Sequence, residues 1–312
     1  MNAPLRGPTI WFTELPGVRR LITEHGVGQR LAGRFVAGDT LEAAMRVAGE
    51  LHGRGVSTML NYLGEEVASP AQAAAATDAY VRALKRVHEQ PGIDCTVSVK
   101  LTQLGLDTST ELCLGNMERV LQAASGGAKG PTLVMIDMES HHYVDRALDI
   151  YLALRDRFPN VGVCLQACLH RTEADAARLG GPAAIVRMVK GAYLEPAEVA
   201  FQRLRDVRRT FAQLTATLFA SGSSVHVATH DPGLIQGAAS FVHEHGVPLE
   251  RYEFQMLYGI RRDLQAALVG KGEPVRVYVP YGTQWYPYLT RRLAERPGNI
   301  WFFLSNALRR GS

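Results

Sequence analysis

Short apolar runs rich in β-branched residues recur along the chain, separated by longer amphipathic stretches. The runs are GVSTMLNYLG (55–64), CTVSVKL (95–101), TLVMIDME (132–139), VGVCLQA (161–167), AIVRMVKG (184–191), SVHVATHD (224–231), YEFQML (252–257) and VRVYVPYG (275–282). Most read as apolar on both faces, the pattern of strands covered on both sides. The segments between them span about 15 to 35 residues, room for a crossover helix each time. Asp39 is placed to cap one such helix, with apolar positions at Leu41, Ala44, Met45, Val47, Ala48 and Leu51, and another covers about 70–88. Eight β-then-α units over about 270 residues predict an α/β fold, a (β/α)8 TIM-type barrel. An open doubly wound sheet is the alternative, but it would usually carry a GxGxxG turn after its first strand, and none is present.

The ends of the chain read differently. Residues 1–38 form an N-terminal extension, amphipathic and helical over 18–35, and the barrel occupies 39–312. After the eighth run comes YLTRRLAERPGN (288–299), where Tyr288, Arg291, Arg292 and Glu295 share one side of a helix that Pro297, Gly298 and Asn299 end. Read alone this is a solvated, salt-bridged helix. Placed after the last strand it becomes a lid over the strand carboxyl ends. Two adjacent guanidinium forks can grip one carboxylate, and Glu295 can hold both.

Composition narrows the function. The 312-residue chain carries a net charge of +4 without any block of like charges, so no nucleic-acid arm is expected. The first residues lack the layout of a signal peptide, and no apolar run approaches a membrane span of roughly 20 residues. The cysteines, Cys95, Cys113, Cys164 and Cys168, fit no zinc spacing and read as small buried or semi-buried residues in a reducing cytoplasm.

In a barrel of this kind the chemistry belongs at the strand carboxyl ends. There the sequence places Lys100, Thr102 and Gln103; Asp137 and Glu139; Gln166; Arg187, Lys190, Gly191, Ala192 and Tyr193; Thr229, His230 and Asp231; Gln255, Met256 and Leu257; and Tyr278 and Tyr281. His226 and His230, four apart, would share a side, but barrel hydrolases use an HxH on the first strand, and no metal site is expected. His141 and His142 read as exposed. Arg187, Lys190, Arg291 and Arg292 would make one rim strongly positive, the mark of an anionic ligand. No serine, cysteine or metal constellation offers a nucleophile. Either Lys100 or Lys190 forms a Schiff base, or an organic cofactor performs the chemistry.

Taken together, SVKLTQLG, IDME, LQA, VRMVKGAY, VATHD, FQMLYG and VYVPYG with YLTRRLAERPGN resemble the proline dehydrogenase family, in the family's order and over about 40–305. The chain ends soon after, so the resemblance is to the monofunctional bacterial type. It implies a distorted barrel binding FAD at the strand carboxyl ends. The expected reaction is oxidation of L-proline to Δ1-pyrroline-5-carboxylate by hydride transfer to the flavin, the first step of proline catabolism to glutamate. The resemblance also implies a membrane quinone as electron acceptor and allows for a separate pyrroline-5-carboxylate dehydrogenase downstream.

Position by position, the resemblance assigns Arg291 and Arg292 to the substrate carboxylate, with Glu295 orienting the pair and Lys100 on the other side. It assigns Tyr278, Tyr288 and Leu257 to the walls around the proline ring. Asp137 stands near the flavin, followed by Met138, and with Arg187 is assigned to catalysis. Gln166, Arg187, Val189, Lys190, Gly191, Ala192, Thr229 and His230 are expected to hold the cofactor, and Tyr193 matches a tyrosine after the glycine turn. Cys168 and Asp231 depart from the tyrosine and asparagine common there. No base for the amine proton is evident beyond Asp137 or a water. The expected location is the cytoplasm, with peripheral association at the inner face of the membrane.

Overall fold

The computed structural model describes residues 32–64 and 67–295, with side chains to residue 292. Most of the expected N-terminal extension, the side chain of Glu295 and the helix stop at Pro297–Asn299 therefore lie outside the described residues. Eight parallel strands close into a barrel in chain order. They are β1 (Ser57–Tyr62), β2 (Cys95–Val99), β3 (Val134–Ile136), β4 (Val161–Gln166), β5 (Ile185–Val189), β6 (Ser224–Ala228), β7 (Tyr252–Leu257) and β8 (Val275–Tyr281). The seam joins β1 to β8, from Ser57 opposite Arg276 to Tyr62 opposite Tyr281. The expected barrel is the one observed.

Helices fill the crossovers: α1 (Leu41–His52), α2 (Pro70–His88), α3 (Thr110–Ala124), α4 (Val144–Arg155), α5 (Thr172–Leu179), α6 (Leu204–Ala220), α7 (Pro232–Glu244) and α8 (Arg262–Val269). A last helix, α9 (Tyr286–Glu295), follows β8. The cap of α1 is Thr40, whose hydroxyl accepts from the Ala43 amide at 3.2 Å, and not Asp39. The β-branched hydroxyl one residue later meets the first free amides. Ser69 and Ser109 cap α2 and α3 in the same way.

Alternation divides each strand between two environments. Val97, Val99, Ile136, Val163, Val186, Val225, Val227, Val277 and Val279 are buried on the faces that meet the helices. Each contributes about 1.5–3 kcal/mol of apolar burial. The lumen is not apolar, contrary to the sequence reading of these strands. Toward the amino ends, Arg276 donates to both oxygens of Glu253 (2.9 and 3.0 Å) and to Asp94 (3.1 Å twice). Gln255 donates to Glu253 at 2.7 Å, and its amide lies 2.9 Å from His226 Nδ1. Buried charge is tolerated here because each group faces a partner.

Across the carboxyl ends, residues 32–38 form a strap. Ala37 donates to the Pro280 carbonyl and Gly282 donates to that of Gly38, both at 2.9 Å. Ala32, Phe35 and Val36 form a second, smaller apolar cluster with Leu63, Tyr288 and Leu289.

Candidate functional site

The centre of the lumen holds one carboxylate surrounded by donors. Arg187, on β5 and 5% exposed, donates to Asp137 Oδ1. Ser98 Oγ donates to the same oxygen at 2.5 Å, and Tyr278 Oη donates to Oδ2 at 2.7 Å. The Arg187 nitrogen that meets Asp137, Nη2, also lies 3.3 Å from Ser98 Oγ, and Nη1 lies 3.3 Å from Met59 Sδ. Burial works against the Arg187 charge, but Asp137 outweighs it and holds the guanidinium firmly protonated. Burial, reinforced by Asp137, pushes Tyr278 well above the usual phenol range. Asp137 is therefore fully engaged, by groups from β2, β5 and β8.

A second acid sits just above. Glu139 accepts from the Thr102 hydroxyl (2.7 Å) and amide (3.2 Å). Burial raises its carboxyl, and the Thr102 donors offset that only in part. Lys100, the residue after β2, is half-buried. Burial lowers its ammonium below the usual lysine range, Asp137 and Glu139 oppose this, and Arg291 and Arg292 add to it. Arg291 and Arg292, on α9, are thus near enough to act on Lys100, just beyond the neighbouring strand β2. The Arg292 guanidinium lies 5.2 Å from the Tyr288 ring centroid. Tyr288 and Leu289 are buried against Leu63, beyond β1, with Ile260, beyond β7, at the edge. The α9 helix thus rests on the carboxyl ends of β7, β8 and β1.

The positive rim is narrower than the sequence implies. Arg187 lies inside the lumen, neutralised by Asp137, and Lys190 is paired with Asp231 at 2.7 Å. Arg208 adds a second cation to Asp231 at 3.2 Å. Lys100, Arg291 and Arg292 are further cations at the mouth.

Polar donors also line the ends of β4, β5 and β6. Gln166 donates to the Glu139 carbonyl at 2.9 Å, tying two strand ends together. Val189, Lys190, Gly191 and Ala192 run on from β5, each half-buried. Gly191 has φ +109°, and a Cβ there would sit 2.2 Å from Cys168 Sγ. Thr229 is buried at the end of β6, and its hydroxyl accepts from the Asp231 amide at 3.2 Å. His230 Nε2 accepts from the Leu257 amide at 2.9 Å, which fixes its proton on Nδ1 and seats Leu257 beside it. Met138 is buried next to Asp137.

Other expectations are corrected. His226 and His230 do not pair: β6 ends at Ala228, so His230 leaves the strand while His226 stays among Gln255 and Glu253. His141 is half-buried, its Nδ1 paired with Glu195 and its amide donating to that carboxylate at 2.9 Å. Asp231, a departure in sequence, caps α7 by accepting from the Gly233 amide at 3.2 Å. Among the described residues no group of three His, Cys, Asp or Glu is placed to hold a metal ion. Sequence reasoning overlooks Ser98, Met59 and Asn61. Two-residue spacing before Lys100 points to Ser98, and strand pairing places Met59 opposite Tyr278 and Asn61 opposite Ser98.

Fold and site together define a (β/α)8 barrel of enzyme type, with titratable groups converging on its mouth. The proline dehydrogenase family pattern matches residues 44–302, and the chain belongs to that family. It is 39% identical over 284 residues to proline dehydrogenase 1 of Bacillus subtilis subsp. natto, covering 91% of this chain and 93% of that protein. It is also 39% identical over 286 residues to a proline dehydrogenase of Deinococcus radiodurans, covering 89% and 90%. Both pair with it almost end to end, as expected for the monofunctional type. Proline utilization A from Bdellovibrio bacteriovorus shares the fold, with a TM-score of 0.79 at 20% identity over 93% of this chain and 36% of that one.

Proposed function

We propose that this protein oxidises L-proline to Δ1-pyrroline-5-carboxylate, with FAD as bound cofactor and a membrane quinone as final electron acceptor. The observation that carries this reading is the convergence of Lys100, Arg291 and Arg292 beside an already neutralised Asp137–Arg187 pair. An amino acid with one carboxylate matches cations gathered at the barrel mouth.

The residues also suit a flavin. The donor set of Gln166, Arg187, Lys190 and Thr229 matches a ligand with a polar ring system and anionic phosphates, and Gly191 keeps the β5 turn free of a side chain. When bound, the flavin supplies the acceptor for the hydride lost from the proline ring carbon beside the nitrogen. Arg187, with Gln166 and Lys190, would hold it. Arg291, Arg292 and Lys100 grip the carboxylate and so fix which carbon is presented; such orientation supplies several kcal/mol of a barrier. Glu295 orients the arginine pair. Tyr278, Tyr288 and Leu257 enclose the ring and exclude water. The substrate nitrogen loses its proton as the C=N bond forms, with Asp137 or a water receiving it.

The product passes to a separate pyrroline-5-carboxylate dehydrogenase, continuing proline catabolism toward glutamate. We place the protein in the cytoplasm with peripheral contact at the inner face of the membrane. Among the described residues no helix is long and apolar enough to cross a membrane.

The lowered ammonium of Lys100 also favours a second reading, a Schiff-base lyase. One experiment separates the two. Purified protein should be yellow, with a flavin band that proline bleaches under anaerobic conditions. A colourless protein that FAD does not reconstitute, or a lysine trapped by borohydride with substrate, would overturn the proposal.

A further inference from the structure

The residues expected to bind substrate on α9 are held from outside the barrel, by a contact between Gly259 and the strap at 32–38. Gly259 lies in the turn between β7 and α8, with φ +76°. A Cβ there would sit 1.8 Å from the Arg34 carbonyl oxygen and 2.9 Å from its carbon. The obstacle is backbone, so no rotamer change relieves it. The strap cannot retreat easily. It is pinned to the β8 end by the Ala37–Pro280 and Gly38–Gly282 hydrogen bonds, each 2.9 Å. Its apolar side chains, Ala32, Phe35 and Val36, pack on Tyr288 and Leu289, with Ile260 from the turn itself and Trp285 at the margin. Tyr288 lies under the Arg292 guanidinium. The chain of contact therefore runs from Gly259 to the strap, from the strap to the first turn of α9, and from there to Arg292.

We infer that Gly259 and the strap are positioning elements for substrate: their close backbone contact sets the height of α9 over the barrel mouth, and with it the carboxylate grip of Arg291 and Arg292. This rests on the assignment of those arginines to the substrate carboxylate. Gly259 touches no reacting group. Its effect belongs in substrate affinity, separate from the cofactor donors on β4 to β6.

Gly259→Ala is the direct test, in the full-length, flavin-loaded protein. Backbone amides of 286–295 should exchange faster with deuterium, while those of β4 to β6 are unchanged. KM for proline should rise on the order of 10- to 100-fold, with kcat within about twofold and flavin content intact. Gly130→Ala is the control, since Gly130 has φ +104° but nothing within 4 Å of its added Cβ. It carries the same kind of backbone strain far from α9 and should leave KM alone. If Gly259→Ala folds poorly, Phe35→Ala loosens the same contact without touching the turn and should raise KM with the same kcat split. Unchanged exchange in α9 with unchanged KM in Gly259→Ala or Phe35→Ala overturns the inference. So does an equal rise in Gly130→Ala. If instead Arg292→Ala leaves KM for proline unaltered, the carboxylate assignment fails, and the α9 exchange result still decides whether the strap sets the helix.

Discussion

Arg187 on β5 and Asp137 beyond β3 form a buried ion pair across the lumen, and Tyr278 on β8 secures the second oxygen of that carboxylate at 2.7 Å. Three strands are thereby tied through one acid. Asp137→Ala would leave Arg187 buried without its partner, which typically costs about 3–5 kcal/mol. The expected outcome is a marked fall in the denaturation midpoint together with weakened flavin binding. Tyr278→Phe removes one hydrogen bond to the same carboxylate and should cost only about 1–3 kcal/mol. Equal stability of Asp137→Ala and wild type in urea titrations would show that the pair does not anchor the lumen.

The arginine pair of α9 gives a sharper kinetic expectation. Arg291→Ala and Arg292→Ala each remove a guanidinium from the mouth without touching Gln166, Arg187 or Lys190. KM for proline should rise by two orders of magnitude or so, equivalent to about 3 kcal/mol, with FAD retained. Arg292→Lys should recover part of the loss, since a point charge cannot reproduce a bidentate grip. Steady-state kinetics with flavin absorbance as the occupancy control decides this, and unchanged KM in both alanine variants would remove the carboxylate assignment.

Gly191 offers a test of the cofactor cradle that leaves charge untouched. A Cβ at Gly191 meets Cys168 Sγ at 2.2 Å, and its φ of +109° is unfavourable for any other residue. Gly191→Ala should push the β5 turn away from β4 and lower flavin occupancy, with proline KM little changed in the fraction that remains loaded. Cys168→Ala in the same chain removes the clash but not the backbone strain, so it should restore occupancy only in part. Full flavin content in Gly191→Ala would count against the turn as a cofactor contact.

The barrel was legible because its outer face obeys a simple rule: strands such as Cys95–Val99 and Val161–Gln166 are buried throughout and read as apolar runs. The rim residues were legible because Lys100, Asp137, Lys190 and Thr229 stand where apolar runs break. The lumen was not. Arg276, Glu253 and His226 look like ordinary polar positions inside strands, and only the register that sets Gln255 beside Arg276 and His226 beside Glu253 makes them partners. The extent of the positive rim was overstated for the same reason. Arg187 and Lys190 contribute charge in a sequence, but Asp137 and Asp231 cancel it in space. The strap was hidden too, since nothing local in residues 32–38 announces a contact with Gly259.

The network at the amino ends predicts the acid behaviour of the fold. Burial pushes the Glu253 carboxyl up, but Arg276 and His226 more than reverse this and bring it down to about 2. An unfolded glutamate titrates near 4.3, so the folded state holds its proton more weakly than the unfolded one. The stabilisation is then complete above about pH 4.5 and is lost as pH falls toward 2, amounting to about 3 kcal/mol. His226 acts in the same direction at higher pH. Burial lowers its imidazole, against Glu253, so protonation below about pH 6.5 favours the unfolded chain. Stability measured by urea unfolding should therefore decline in two stages as the solution is acidified. Glu253→Gln should be less stable than wild type at neutral pH, because Arg276 keeps Asp94 as its acidic partner but loses the buried one, and should lack the stage below pH 4.5. A Glu253→Gln protein whose acid profile runs parallel to wild type down to pH 3 would show that other carboxylates, and not this buried pair, govern acid unfolding.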